Sequence, residues 1–276
     1  MPRHHRKRRK PLRTSAVINM LSNNPVIALS VKDTRTYMRD WHFVFYKMMP
    51  GIVTPILVLL LIRYSLLTNP VTSDHQFERM IEYLFLCVVF MLFLLQACIF
   101  VGNIFGYERA AISSVFLAPL TDRQILLGKN MFLLILLTFD AIVISCLTLL
   151  FFPKFQIALV FFCFMENVII ILIGLGNLNS IIFPYYVPFD KPTVSFQGTL
   201  IIGLMNMATI ILLVFLMSPV VAMLYYSLLT KNPALLAGTI PVSVIYSLMV
   251  YANLLKIAVN MMSRYRESIY RNVSTP

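Results

Sequence analysis

Charge is scarce in this chain of 276 residues: only 12% are Asp, Glu, Lys or Arg, against roughly 25% in an ordinary soluble domain. Acids are scarcer still, 11 against 23 Lys and Arg, so the formal net charge is +12. The hydrophobic fraction is 59%, and the apolar residues come in long blocks rather than half-faces, which excludes a single soluble core. There are four histidines, and His4, His5, His42 and His75 are too scattered to form a metal site. The four cysteines, Cys87, Cys98, Cys146 and Cys163, all fall inside apolar blocks without ligand spacing. They read as small packing residues rather than disulfides or ligands.

The chain does hold a series of blocks long enough to cross a bilayer, which takes about 20 largely apolar residues. Six spans are expected, at about 48–67, 81–105, 130–152, 155–183, 199–217 and 239–262, giving an all-α polytopic membrane protein. Residues 1–25 open with a very basic run, and Ser22, Asn23, Asn24 and Pro25 interrupt the stretch after it. No continuous apolar segment is there to act as a signal peptide, so 1–25 reads as a disordered cytoplasmic tail that can touch anionic lipid. Residues 26–47 interleave Lys32, Asp33, Arg35, Arg39 and Lys47 with Leu29, Tyr37, Trp41 and Phe43, the pattern of an amphipathic helix lying in the interface. Ser218-Pro219 is expected to break the chain after the fifth span. The apolar stretch beyond it is too short to cross, and 219–238 reads as a re-entrant hairpin on the outer side. Residues 266–276 read as a cytoplasmic tail.

The basic residues test this topology. With the N-terminus inside, eighteen of the 23 Lys and Arg fall on the inner side, three (Arg79, Lys154, Lys231) outside, and Arg63 and Lys256 within spans. That asymmetry obeys the rule that cytoplasmic loops collect Lys and Arg. It places both termini in the cytoplasm and accounts for the +12 without a nucleic-acid partner.

The connection between the second and third spans, 106–129, is the most informative. Gly106 permits a sharp exit from the membrane helix. Glu108 and Arg109 then head a short helix with Ile112, Val115 and Phe116 on its apolar side, and Pro119 stops it. Thr121-Asp122-Arg123-Gln124 has capping-box spacing for a second short helix, from which Gly128 and Lys129 lead into the membrane. Lying flat on the headgroups is the simpler reading of such a loop.

From Asn103 to Asn130, the order Asn-x-Phe-Gly-x-Glu-Arg, Ala118-Pro119, a polar turn and Ile-Leu-x-Gly-Lys-Asn resembles the permease subunits of type-2, exporter-like ATP-binding-cassette transporters. Gly174-Leu-Gly-Asn-Leu-Asn-Ser-Ile-Ile-Phe-Pro-Tyr-Tyr-Val-Pro188 and Lys32-Asp33-x-Arg35-x-x-x-Arg39-Asp40 are similar to two further motifs of that family. The resemblance spans about 28–265 and implies a permease domain over 26–265. On it, 106–129 is a coupling loop in which Glu108, Arg109, Pro119, Asp122, Arg123, Gly128 and Lys129 form the interface with a separate ATPase. It also implies ATP and Mg on that partner, none in this chain, and location in the plasma membrane. Many relatives carry two six-span halves in one polypeptide, so this chain is expected to pair with a second copy or a sister permease. Gln96, Asn206, Gly203 and Ala208 are candidates for the seam.

Gly128-Lys129-Asn130 has only the tail of a P-loop: position 123 is Arg and the last residue is neither Ser nor Thr. No nucleotide site is read here, and Gly174 and Gly176 are expected to permit close helix packing. Ionisable residues within spans are functional suspects. Asp140 lies about 15 Å into its span, Glu166 is comparably deep, and Lys256 is nearer the inner face. They either line a polar path or hold helices together as an Asp140–Lys256 pair. The competing function is a proton-coupled secondary transporter using Asp140 and Glu166. An intramembrane enzyme would need clustered catalytic residues, which the sequence lacks.

Overall fold

A computed structural model describes residues 24–39, 53, 56–58, 60, 75–106, 108, 112–151, 155–184, 196–230 and 232–274. All secondary structure among them is helical. Seven helices organise it: α1 (Pro25–Arg39), α2 (His75–Val101), α3 (Ile112–Leu117), α4 (Asp122–Phe151), α5 (Phe155–Ile182), α6 (Phe196–Leu229) and α7 (Pro233–Ser274). Four of these, α4 to α7, contain segments long and apolar enough to cross a membrane, and α2 adds a shorter apolar stretch over Leu86–Val101. The protein is an all-α, membrane-embedded chain. The first expected span, 48–67, lies largely outside the described residues, as do the basic tail and 40–47.

The helix starts obey local chemistry. Asn24-Pro25 and Asn232-Pro233 are two copies of one device, an Asn cap followed by Pro at the first helical position, where no N–H is needed. Asn24 Oδ1 accepts from the Val26 amide at 3.0 Å, and Asn232 Oδ1 from Ala234 at 3.0 Å. The capping box forms as its spacing predicts. The Thr121 amide donates to Gln124 Oε1 at 2.9 Å and the Gln124 amide to Thr121 Oγ1 at 3.3 Å.

Two expectations about breaks are overturned. The helix capped by Thr121 is not a separate short element: it runs unbroken through Gly128 and Lys129 to Phe151, so among the described loop residues α3 is the one separate short helix. Ser218-Pro219 does not break α6, which continues to Leu229, and α7 begins at Pro233. The break expected within 219–238 therefore falls between Leu229 and Pro233 rather than at Pro219. Pro219 has no N–H to offer the Phe215 carbonyl four residues back, and Ser218 Oγ donates to that carbonyl instead, at 2.8 Å. Residues 266–274, expected as a tail, are helical and continue α7.

Helix α5 is the centre of the bundle, buried on nearly every side from Met165 to Ile181. Small residues let its neighbours approach. A Cβ on Gly176 would meet the Val101 carbonyl oxygen at 2.7 Å, and one on Gly174 would lie 2.9 Å from Leu254. The glycines thus serve helix packing, as expected. Asn167 ties α5 to α7: its Nδ2 donates to Ser243 at 3.2 Å and its Oδ1 accepts from Ser247 at 2.7 Å. Among the cysteines only Cys98 packs in the interior, while Cys87 and Cys146 face outward.

Two apolar clusters divide the molecule along its length. The larger fills the membrane-spanning region between α2, α4, α5 and α6. The smaller joins Leu29 of α1, Phe105, Ile112 and Val115 of the loop and α3, Ile125 and Leu126 of α4, and Ala258, Met262, Ile269 and Val273 of α7. This second cluster packs one end of the bundle into a solid base, and α3 is part of it.

Candidate functional site at the base of the bundle

The base brings three separated sequence segments to one point. Helix α1 lies against the first turns of α4, with Leu29, Ser30 and Asp33 on its buried face. Gly128 makes this approach possible, because a Cβ there would sit 2.9 Å from the Leu29 side chain and 3.1 Å from the Val26 carbonyl oxygen. Further along α1, Tyr37 stacks on Phe132 with centroids 4.8 Å apart. The segment 25–39 is therefore docked on protein along one face, not merely lying in the interface.

Docking closes an ionic cluster. Lys129 Nζ, on a residue only 1% exposed, is 2.6 Å from Glu108 Oε1 and 3.5 Å from Asp33 Oδ2. Lys32 Nζ, from the wetter side, lies 2.9 Å from Glu108 Oε2 and 3.6 Å from Asp33 Oδ1. Two cations thus face two carboxylates, neutralising charges that would be costly to bury alone. The Phe105 ring adds a cation–π contact, with Lys129 Nζ 5.6 Å from its centroid.

The two carboxylates respond oppositely. Burial opposes ionisation of both, but in Glu108 the two lysines and their hydrogen bonds outweigh it and hold the carboxyl down at about 2. In Asp33 burial wins over Lys129, and the Glu108 charge adds to it, so that carboxyl is raised. Glu108 is the fixed anion of the cluster and Asp33 the reluctant one. Beside them Asp33, Tyr37, Phe100, Ile104, Lys129, Phe132 and Leu133 line a cavity of about 10 Å³, close to the size of one water.

The expected interface residues therefore divide. Glu108, Gly128 and Lys129 are buried in the base and hold it together, which corrects their assignment to an outward-facing surface. Pro119 and Arg123 are exposed, and Asp122 is half-buried in the first turn of α4. Arg109 lies outside the described residues. Leu117, at the end of α3, is 86% exposed. The sequence pattern puts Lys32 and Asp33 in one motif but does not join them to Glu108. A lone Lys129 at the edge of an apolar helix was the signal that carboxylates must converge on it.

The intramembrane candidates also separate. Asn130 Nδ2 donates to the Tyr251 hydroxyl at 2.9 Å, which fixes the register of α4 against α7. Asp140 then lies about 15 Å toward one end and Lys256 about 7 Å toward the other. They do not pair: Lys256 is exposed, while Asp140 is buried and its Oδ1 has no partner. Glu166 instead accepts from Thr138 Oγ1 at 3.1 Å, leaving its Oε1 without a partner. Asn206 is half-buried on α6, near Gly102 and Asn179, since a Cβ on Gly102 would meet Asn206 Oδ1 at 3.5 Å and Asn179 Nδ2 at 3.0 Å. Gln96 is half-buried on α2.

Comparison with family models, curated proteins and solved structures finds no match for this chain.

Proposed function

We propose that the chain is the membrane subunit of an ATP-driven transporter, a permease of the type-2 ATP-binding-cassette class that exports a substrate using a separate ATPase. The observation that carries this reading is the convergence of the Lys32-Asp33, Glu108 and Gly128-Lys129 segments on one buried cluster at the base. A loop that only rested on lipid would have no need of four charges locked behind it. A loop that receives force needs a rigid seat.

On this reading the base is cytoplasmic, six spans cross the plasma membrane and both termini are inside, as the Lys and Arg bias favours. The exposed Leu117, Pro119 and Arg123 present an apolar anchor rimmed by charge, the pattern of a small docking site for a partner protein. ATP and Mg belong to that partner. The conduit lies between this chain and a second copy or sister subunit. Gly203, with nothing among the described residues within 4 Å of an added Cβ, leaves room on α6 for such an approach.

Charge and shape changes at the knob test this reading. Leu117→Asp and Arg123→Glu should each reduce ATP-driven transport at least about tenfold, the scale of a lost interface anchor, with normal membrane insertion. Full transport in both variants would reduce the knob to a lipid-facing loop. A second reading, a proton-coupled transporter, draws on Asp140 and Glu166. The Thr138–Glu166 hydrogen bond sets these two acids at nearly the same depth on neighbouring helices. It predicts transport without ATP that is abolished by Asp140→Asn.

A further inference from the structure

Helix α7 is longer than a span requires. Its 42 residues make about 63 Å of helix, against a hydrocarbon core of about 30 Å. The surplus beyond residue 255 is not loose. Leu255, Ala258, Met262, Ile269 and Val273 are buried at spacings of three, four and seven, one face of a helix. That face packs on Ile112 and Val115 of α3.

Between Met262 and Ile269 on the same stretch is Arg266. Its Nη2 donates to the Phe116 carbonyl at 2.5 Å, and its guanidinium carbon lies 4.9 Å from the centroid of the Phe116 ring. Phe116 is the penultimate residue of α3, and the last four carbonyls of any helix find no donor within it. A cation at that end also opposes the negative pole of the helix. For six residues, too few to be stable alone, this is a large share of what holds the helix in shape.

We infer that Arg266 is a positioning residue that locks the short helix α3 to the end of α7, so that the two move as one body at the base of the bundle. A push on Leu117 is then carried through Phe116 and Arg266 into α7. From there it travels along α7 toward Pro241, where the missing amide weakens the helix. The functional half of this inference rests on the transporter reading; the contact itself does not.

The experiment uses the full chain in lipid nanodiscs, with Arg266→Met against Arg264→Met, which removes an equal charge from an exposed position. Amide exchange at 112–118 should rise about tenfold in Arg266→Met, the factor expected for losing a charge-assisted hydrogen bond, and stay unchanged in Arg264→Met. Unchanged exchange in Arg266→Met, or an equal rise in both, overturns the lock. With the ATPase present, Arg266→Met should lower transport severalfold and Arg266→Lys should restore part of it. Full transport in a variant whose 112–118 exchange has risen overturns the positioning role. If no ATPase ever associates with the chain, the transporter reading fails, and the exchange result still decides the contact.

Discussion

At the scale of single residues, the cluster of Lys32, Asp33, Glu108 and Lys129 makes an asymmetric prediction. Glu108 gains more from its lysines than burial costs it, whereas Asp33 does not. Glu108→Gln leaves Lys129 with only the reluctant acid, and breaking a buried pair in this way costs about 3–5 kcal/mol. Asp33→Asn removes a group that resists ionisation, and should cost no more than about 1 kcal/mol. Thermal unfolding in detergent should therefore separate the two variants widely, and equal losses would show that the two acids share the load. The pH dependence has the same asymmetry. Because the Glu108 carboxyl is lowered from 4.5 to about 2, its contribution is fully present above 4.5 and lost as pH falls through about 2. Asp33, being raised, works the other way: its contribution is present below 3.8 and fades as pH rises through its higher folded value. A spin-label pair at the exposed positions Met38 and Arg123 should report α1 attached at pH 5 and released near pH 2. Release already at pH 5 would contradict Glu108 as the fixed anion.

At the scale of elements, glycine positions distinguish a helix packed on protein from one that is not. Gly128→Val would drive a side chain into Leu29 and the Val26 carbonyl. It should detach α1 and lower stability by a few kcal/mol, in the range of overpacking. Gly176→Val would force α5 from the end of α2, with a similar loss. Gly203→Ala meets nothing among the described residues. It should be neutral or stabilise the helix by up to about 1 kcal/mol in the isolated chain. Ranking the three variants by melting temperature in detergent checks this; Gly203→Ala as the most damaging of the three would invert the argument.

For the whole molecule the predictions concern sides and copies. Single cysteines at Arg123 and Asp74, in a background without native cysteine, should label from opposite faces of the membrane, and labelling from one face would refute the proposed topology. The detergent-corrected mass of the purified complex should contain two permease subunits. Gly203→Phe, filling the open position on α6, should halve that count while leaving the fold of each subunit intact. A single permease with full ATP-driven transport would remove the need for a second half.

Much of this protein is determined by the sequence alone, because the bilayer removes most alternatives. Where water is absent the backbone must satisfy itself, so long apolar blocks become helices, and Asn-Pro and the Thr121–Gln124 box mark their starts through local hydrogen bonds. The ends of the helices were less legible. Ser218-Pro219 and Gly128 look like breaks in one dimension. A serine hydroxyl that replaces the missing amide, and a neighbouring helix that uses the missing side chain, are visible only in three. The same holds for which helix is central: α4, α5 and α6 are equally apolar, and only packing decides that α5 is enclosed. The candidate site was half legible. Its residues stand in recognisable motifs, but whether Glu108 and Lys129 face outward or each other depends on α1 folding back across 76 residues of chain. Asp140 and Lys256 failed to pair for the same reason: opposite charges on two helices meet only if the register allows it, and register is set by contacts such as Asn130–Tyr251 that no local pattern encodes.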